Sequence, residues 1–330
     1  MLERDRPYCS IIIRCYNEER HIGRLLIGIM QQTVKDVEII LVDSGSTDAT
    51  LSIASKFPTK IVYISPEEFS FGRALNKGCE AAKGTLLIFT SAHCYPLYKD
   101  WLENLIAPFK NSQVALVYGK QRGNEITKFS ENQIFASWFP DESNSRQDNP
   151  FCNNANCAIR RDVWERIPYD EELTGLEDFD WAKKAMDMKY QIAYSAEALV
   201  IHVHEEVPQQ VYRRYFRESI ALKYIVPEER FTRRDLIHFL FINIIADCRS
   251  AFKERALWCN VKSIFIFRSM QFLGTYRGFA QYNDVSTDLK QTFYYPNNRG
   301  HSINIKAVKK RPDRIDYSLF GCEHNYDKND

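Results

Sequence analysis

The sequence predicts an α/β fold: a mostly parallel central sheet flanked by helices, with a helical C-terminal extension. Over the first 120 residues, short runs dense in Ile, Val and Leu alternate with amphipathic stretches. Those runs are apolar throughout rather than at every second residue, as strands covered on both faces are. After residue 208 the pattern turns to helical spacing. In sheets of this kind, ligands gather beyond the carboxyl ends of the strands.

The elements follow in order. "CSIIIRCYN" reads as a buried strand, and residues 18 to 32 as a helix with Ile22, Leu25, Leu26 and Ile29 at helical spacing. "VEIILVDSGS" is the next strand, and Thr47-Asp48 can open the helix that "ATLSIASKF" continues. "KIVYIS" is a third strand, "GRALNKGCEAAKG" a helix closed by Gly84, and "TLLIFTS" a fourth strand. Residues 100 to 110 form a helix and "VALVYGKQ" a fifth strand. From 121 to 150 the pattern breaks into a polar stretch, read as a long functional loop or short irregular helices. A strand in "NNANCAIRR", a helix from about 177 to 188 and a strand ending in His202-x-His204 come next. The rest is largely helical, and "DLIHFLFINIIADC" is too short to span a bilayer.

Composition sets the outer bounds. With 330 residues, 45% of them hydrophobic, the chain can bury a sizeable core. Forty-four basic against 43 acidic residues leave a formal charge of +1, so no global field argues for a nucleic-acid partner. Nine cysteines, at 9, 15, 79, 94, 152, 157, 248, 259 and 322, form no C-x-x-C pair and several sit in apolar runs, which suits small buried hydrophobes in a reducing compartment. The N-terminus has no apolar h-region, so the expectation is a cytoplasmic protein. No G-x-G-x-x-G follows the first strand, which weakens a dinucleotide-dependent oxidoreductase.

Three clusters at the expected strand and helix ends carry chemistry. Asp43-Ser44-Gly45-Ser46-Thr47-Asp48 joins a strand to a helix; Gly45 permits a tight turn, and Asp43 can accept hydrogen bonds from a base or ribose, although a simple capped turn uses the same residues. Glu177-Asp178, followed by Asp180, stands at a helix start, where acids are also favoured by the helix dipole alone. The fourth strand ends in Ser91-Ala92-His93, a small-polar-His triplet.

The succession "SIIIRCYNEERHIGRLLIGIMQQT", "VEIILVDSGSTDATLSIA", "FGRALNKGCEAAKGTLLIFTSAHCYPLYKDWLENL", "NNANCAIRRDVWERIPYDEELTGLEDFDWAKKA" and "HVHEE" resembles the inverting family 2 glycosyltransferases with the GT-A fold. It covers roughly residues 8 to 205, and "RYFRESIALKY" after it is similar to rhamnosyltransferase-type members. The resemblance implies a GT-A catalytic domain over 1–207, with 1–120 its nucleotide-binding half and 121–207 its acceptor half, and a mainly helical region over 208–330. By position it places Arg14, Tyr16, Asn17, Glu18, Asp43, Ser44, Arg73, Asn76, Ser91 and Ala92 at the nucleotide, and Asn154, Asn156 and Trp138 near the donor and acceptor sugars. Asp178, paired with Glu177, takes the role of the base that deprotonates the acceptor hydroxyl.

At the metal position this chain departs from the family, which normally carries Asp-x-Asp for Mg²⁺ or Mn²⁺ where Ser91-Ala92-His93 stands here. Three outcomes stay open: His93 ligates a divalent metal with His202 or His204, it bonds the diphosphate directly, or transferase activity is lost. At most one of His202 and His204 is expected as a ligand, and His204, nearer the strand's end, is the choice. The function implied is transfer of a sugar from a nucleotide-diphosphate donor to a saccharide acceptor, free or lipid-linked, in surface polysaccharide synthesis; the alternative is an inactive nucleotide-sugar binding or scaffolding protein of the same fold. The basic, apolar "VKSIFIFRSMQFLGTYRGF" suits peripheral contact with the inner face of a membrane, or packing on the catalytic domain or on a second copy in a homo-oligomer.

Overall fold

The computed structural model describes residues 7–280 and 314–317. The first part of the chain forms β1 (Cys9–Cys15), α1 (Ile22–Met30), β2 (Val37–Asp43), α2 (Thr50–Ala54), β3 (Thr59–Tyr63), α3 (Phe71–Ala81), β4 (Leu86–Ser91) and the short β5 (Cys94–Pro96). Then come α4 (Trp101–Ile106), β6 (Val114–Arg122), α5 (Phe129–Trp138), β7 (Asn156–Arg160), α6 (Arg161–Trp164), α7 (Glu177–Asp187) and β8 (Gln191–His202). Three long helices, α8 (Pro208–Ile225), α9 (Arg233–Lys253) and α10 (Leu257–Ala280), complete the series.

The strands make one sheet in the order β3-β2-β1-β4-β7-β6-β8-β5. The pairings β1–β2, β1–β4, β2–β3 and β6–β8 are parallel, as expected of apolar runs joined by helices. The sheet is nonetheless mixed, because β7 runs antiparallel to both β4 and β6, and β5 antiparallel to β8. Only Ala92 and His93 separate β4 from β5, far too few for a parallel crossover, so β5 leaves the β4 edge and closes the far side of the sheet.

Alternation along β1 divides the core in two. Ile12 packs with Ile40, Leu75, Phe89 and Trp181 on one face; Ile11 and Ile13 pack with Leu25, Leu41, Trp101 and Leu105 on the other. Burying each such side chain contributes about 1.5–3 kcal/mol. The expected Thr47-Asp48 cap is displaced: α2 begins at Thr50, whose amide donates to Asp48 Oδ1 at 2.9 Å. The polar stretch 121–150 contains a full helix, α5, whose Ser130, Glu131, Ile134 and Phe135 are all buried. With polar and apolar residues alike turned inward, α5 carries no amphipathic stripe to read.

The C-terminal helices form their own apolar cluster around Phe231, Phe239, Phe272 and Phe279. Close approach of α10 to α8 requires glycine: a Cβ at Gly274 would stand 2.4 Å from Tyr212 O and one at Gly278 2.5 Å from Phe216 O. Arg268 on α10 donates to both carboxylate oxygens of Asp247 on α9, at 2.7 and 2.8 Å, and reaches Ser130 O on α5. Residues 314–317 return to the sheet edge, where Ile315 N donates to Leu97 O and Tyr317 Oη to Pro96 O at 2.8 Å. Among the described residues no helix is long and apolar enough to cross a membrane. The eight described cysteines are free and six of them are buried; Cys322 lies outside the described residues.

Candidate active site

The parallel register of β1, β2 and β4 brings their carboxyl ends level, with Arg14 opposite both Val42 and Ser91, and Cys15 opposite Asp43. Beyond that edge the chain knits two turns together. Asn17 adopts φ 54°, which lets its amide donate to Ser46 Oγ at 2.9 Å while its side-chain oxygen accepts from Thr47 N at 2.8 Å. Asp43 is 1% exposed and accepts from the amides of Gly45 and Ser46, both at 3.0 Å, so its carboxylate braces its own turn. Ser44 Oγ donates to Cys15 O. Tyr16, 56% exposed, presents an open aromatic face at this edge.

The carboxylates lie beside this edge, at the start of α7. Leu176 holds φ 56°, a strained conformation for a branched side chain, and so turns the chain sharply into the helix. Glu177 Oε1 accepts from Arg14 Nη1 at 3.1 Å, and the Arg14 guanidinium also lies 5.1 Å from the Phe71 ring centre. Arg217 covers the same ring at 4.5 Å. Asp178 accepts from Asn154 N at 3.0 Å and from Phe179 N at 2.8 Å. Burial and then the neighbouring Glu177 charge push the Asp178 carboxyl up from 3.8 to about 7, despite those two bonds. Glu177 has its cation; Asp178 is left with lone pairs for an incoming proton.

The third group differs in chemistry. His93, His202 and His204 lie together, with one ring nitrogen of each within 4.8 Å of the others. His93 Nδ1 bonds Glu18 Oε1 at 2.7 Å, His202 Nδ1 bonds Gln121 Oε1 at 2.7 Å, and His204 Nδ1 bonds Glu131 Oε1 at 2.6 Å. The Nε2 atoms of His202 and His204 are 2.8 Å apart. This departs from the expectation of a single ligand: His202 is the last residue of β8, Val203 N still donates to His93 O, and residues two apart on an extended chain share a face, so His204 stands beside His202. Burial holds His202 well below the usual imidazole range, and the His204 and His93 charges act the same way. Burial alone would raise the Glu131 carboxyl, but Arg214 and then His204 hold it down at about 2.

Not every residue expected at the site turns toward it. Asn156 is fully buried and spends its amide on Lys120 O and Ala198 O while accepting from Trp101 Nε1. The Asn76 amide is committed to Tyr169 O and Glu171, and its oxygen to Trp164 Nε1 and Tyr169 N. Ala92 packs in the core, and Trp138 packs edge-on against Phe151. Arg73 pairs with Glu171 at 2.8 Å. Asn154 is 2% exposed; its backbone rather than its side chain meets Asp178, and Tyr169 Oη donates to its Oδ1. Sequence reasoning missed Gln121, Glu131, Arg214 and Arg217. The first two sit in a buried strand and a helix with no stripe, so their only signal is a polar residue inside an otherwise apolar environment.

The donor set decides which metal these histidines suit. Three imidazoles anchored through Nδ1 fit a divalent ion that prefers nitrogen and fit poorly the all-oxygen octahedron Mg²⁺ demands.

Comparison with known proteins identifies the lineage and the fold. The family model "Glycosyl transferase family 2" matches residues 10–167. The O-antigen chain rhamnosyltransferase WbaN of Salmonella anatum is 32% identical over 226 residues, 65% of this chain and 72% of that protein. Glycosyltransferase AglE of Haloferax volcanii is 29% identical over 59% of this chain and 67% of its own length. Among solved structures, the mannosyltransferase PcManGT from Pyrobaculum calidifontis, in complex with GDP-Man and Mn²⁺, superimposes with a TM-score of 0.58 at 18% identity, covering 84% of this chain and 87% of that one. That likeness speaks for the fold, and the WbaN match over most of its length speaks for the lineage. The chain belongs to glycosyl transferase family 2 and is a glycosyltransferase with the GT-A fold.

Proposed function

We propose that the chain is an inverting transferase that moves one sugar, a hexose or a deoxyhexose such as rhamnose, from a nucleotide-diphosphate donor to a saccharide acceptor in surface polysaccharide synthesis. The observation that carries the reading is Asp178, pushed up to about 7 and in no ion pair of its own among the described residues, beside a Glu177 that Arg14 neutralises. As the acceptor oxygen bonds to the anomeric carbon, the bond to the diphosphate oxygen breaks on the opposite face and the hydroxyl proton passes to Asp178. Arg14 stabilises the Glu177 charge and moderates that of Asp178. A divalent cation bound at His93 and His204 would supply positive charge to the departing diphosphate. Arg14, Tyr16, Asn17, Glu18, Asp43 and Ser44 cluster at the strand edge where the nucleoside belongs in this reading. The proposed division is a catalytic part over 1–207 and a C-terminal part over 208–330, of which α8–α10 and 314–317 are described.

The rhamnosyltransferase relative supports the deoxyhexose and the polysaccharide acceptor. A lipid-linked acceptor is supported by exposed Ile237, Phe241 and Phe252 on α9 and Trp258 and Phe265 on α10, flanked by exposed Arg233, Arg234, Arg249, Lys253 and Lys262. Apolar anchors with a basic surround suit an anionic bilayer surface. The test of the central reading is Asp178→Asn, which should abolish transfer while leaving nucleotide affinity within about twofold, well under the 1.4 kcal/mol of a tenfold change. Turnover retained in that variant would remove Asp178 from its role.

A further inference from the structure

Each of the three clustered histidines is held by an oxygen acceptor at its Nδ1. Glu18 and Glu131 are carboxylates that only accept, and Gln121 presents its amide oxygen. A neutral ring held in this way keeps its proton on Nδ1 and offers Nε2 as a ligand, and one ring nitrogen of each histidine lies within 4.8 Å of the others. The Nε2 atoms of His202 and His204 stand 2.8 Å apart, a contact that needs either a proton on one ring or a cation shared by both. A cation among the three nitrogens satisfies that contact without charging either ring. Tetrahedral ions of the Zn²⁺ type hold imidazole nitrogens at about 2.0–2.1 Å, which sets neighbouring nitrogens roughly 3.3 Å apart. The three rings bracket that spacing, between the 2.8 Å contact and the 4.8 Å limit within which all three atoms lie.

We propose that His93, His202 and His204 form an all-imidazole centre for a nitrogen-preferring divalent ion of the Zn²⁺ or Co²⁺ class, bound by the folded chain before any nucleotide arrives. This deepens the transferase reading and rests on it only for what the ion faces. Imidazole ligands favour ions of that class over Mg²⁺, and a Nδ1 bond to an outer oxygen fixes each ring for its metal. The outer contacts come from the β1–α1 turn, β6 and α5, so the site is built by the fold rather than by a ligand. Three neutral ligands leave the ion's double charge intact. That charge would then face anionic oxygens in full, where two family carboxylates would partly cancel it. His202, on the same side of the chain as His204, completes the set.

The test is a Co²⁺ titration of chelator-stripped protein without nucleotide, read by visible absorption and by metal analysis after dialysis. Expected is one Co²⁺ per chain with the intense d–d bands of a low-coordinate ion, displaced by Zn²⁺ and untouched by a large excess of Mg²⁺. His202→Ala should bind at least about tenfold more weakly, and Gln121→Met, which keeps all three ligands, about 10–100-fold more weakly. Absence of Co²⁺ uptake by the wild type, uptake only with a nucleotide diphosphate present, or wild-type affinity in His202→Ala would each overturn the centre. Should either variant misfold by circular dichroism, the wild-type titration still decides. Sugar transfer assayed on the same stripped samples separates the two readings: transfer without uptake sinks the metal centre alone, and uptake without transfer in any donor sinks the transferase mechanism alone.

Discussion

The carboxylate corner and the imidazole corner of the site are assembled in opposite ways. Glu177 and Asp178 are neighbours in sequence, set by the entry of one helix, and among the described residues their long-range hydrogen bonds go to Arg14 and the Asn154 amide. The histidines come from the ends of two strands, and each is anchored by a different element. One corner is a local motif; the other exists only after the sheet has closed. The first should therefore fail chemically when altered, with the fold intact, and the second should fail by losing its geometry.

Asp178→Asn is the sharpest way to separate them. Removing a general base costs about 10²–10⁴-fold in kcat, and the imidazole corner, which shares no hydrogen bond with Asp178, should keep its metal affinity. A loss of metal binding in that variant would erase the distinction. Next in size is Arg268→Met, which strips a buried ion pair of one partner and should cost about 3–5 kcal/mol of stability by denaturant unfolding. Because Arg268 also touches Ser130 O, next to Glu131, metal affinity should drop before the carboxylate corner responds.

The carboxylate corner also predicts a pH profile. Transfer should rise as pH climbs through about 7, falling roughly tenfold per unit below it, because only ionised Asp178 accepts a proton. The same shift has the opposite sign for stability. The fold favours the neutral carboxyl, so this contribution is complete below the ordinary value of 3.8 and is lost as pH rises to about 7. Asp178→Asn should accordingly raise Tm at pH 8 and leave it nearly unchanged at pH 3. Smallest is Arg14→Met, which leaves Glu177 unpaired and should move the kcat midpoint upward; an unmoved midpoint would show that Arg14 only packs on Phe71.

These contrasts also explain what was legible beforehand. Period and burial made β1, β2 and β4 readable, since Ile11, Ile12 and Ile13 serve two cores at once and leave an unbroken apolar run. The antiparallel entry of β7 and the α5 helix were not, because pairing direction depends on where a chain re-enters and α5 buries polar and apolar faces together. His202 and His204 stand two apart, and a strand's period of two sets such residues on one face, so a single ligand there is not what the strand pattern requires. Asn76 and Asn156 read as ligand-facing amides from sequence because a buried amide and a binding amide look alike until their partners are known.

The returning C-terminal segment gives the molecule a mechanical property. Tyr317 is fastened to Pro96, and β5 begins at Cys94, the residue after His93. Tension applied at Tyr317 is therefore delivered to the strand that directly follows His93, rather than absorbed in the helical part. A load or tag fused there would act as a lever on His93, while the Asp178 corner, on a separate helix, stays unloaded.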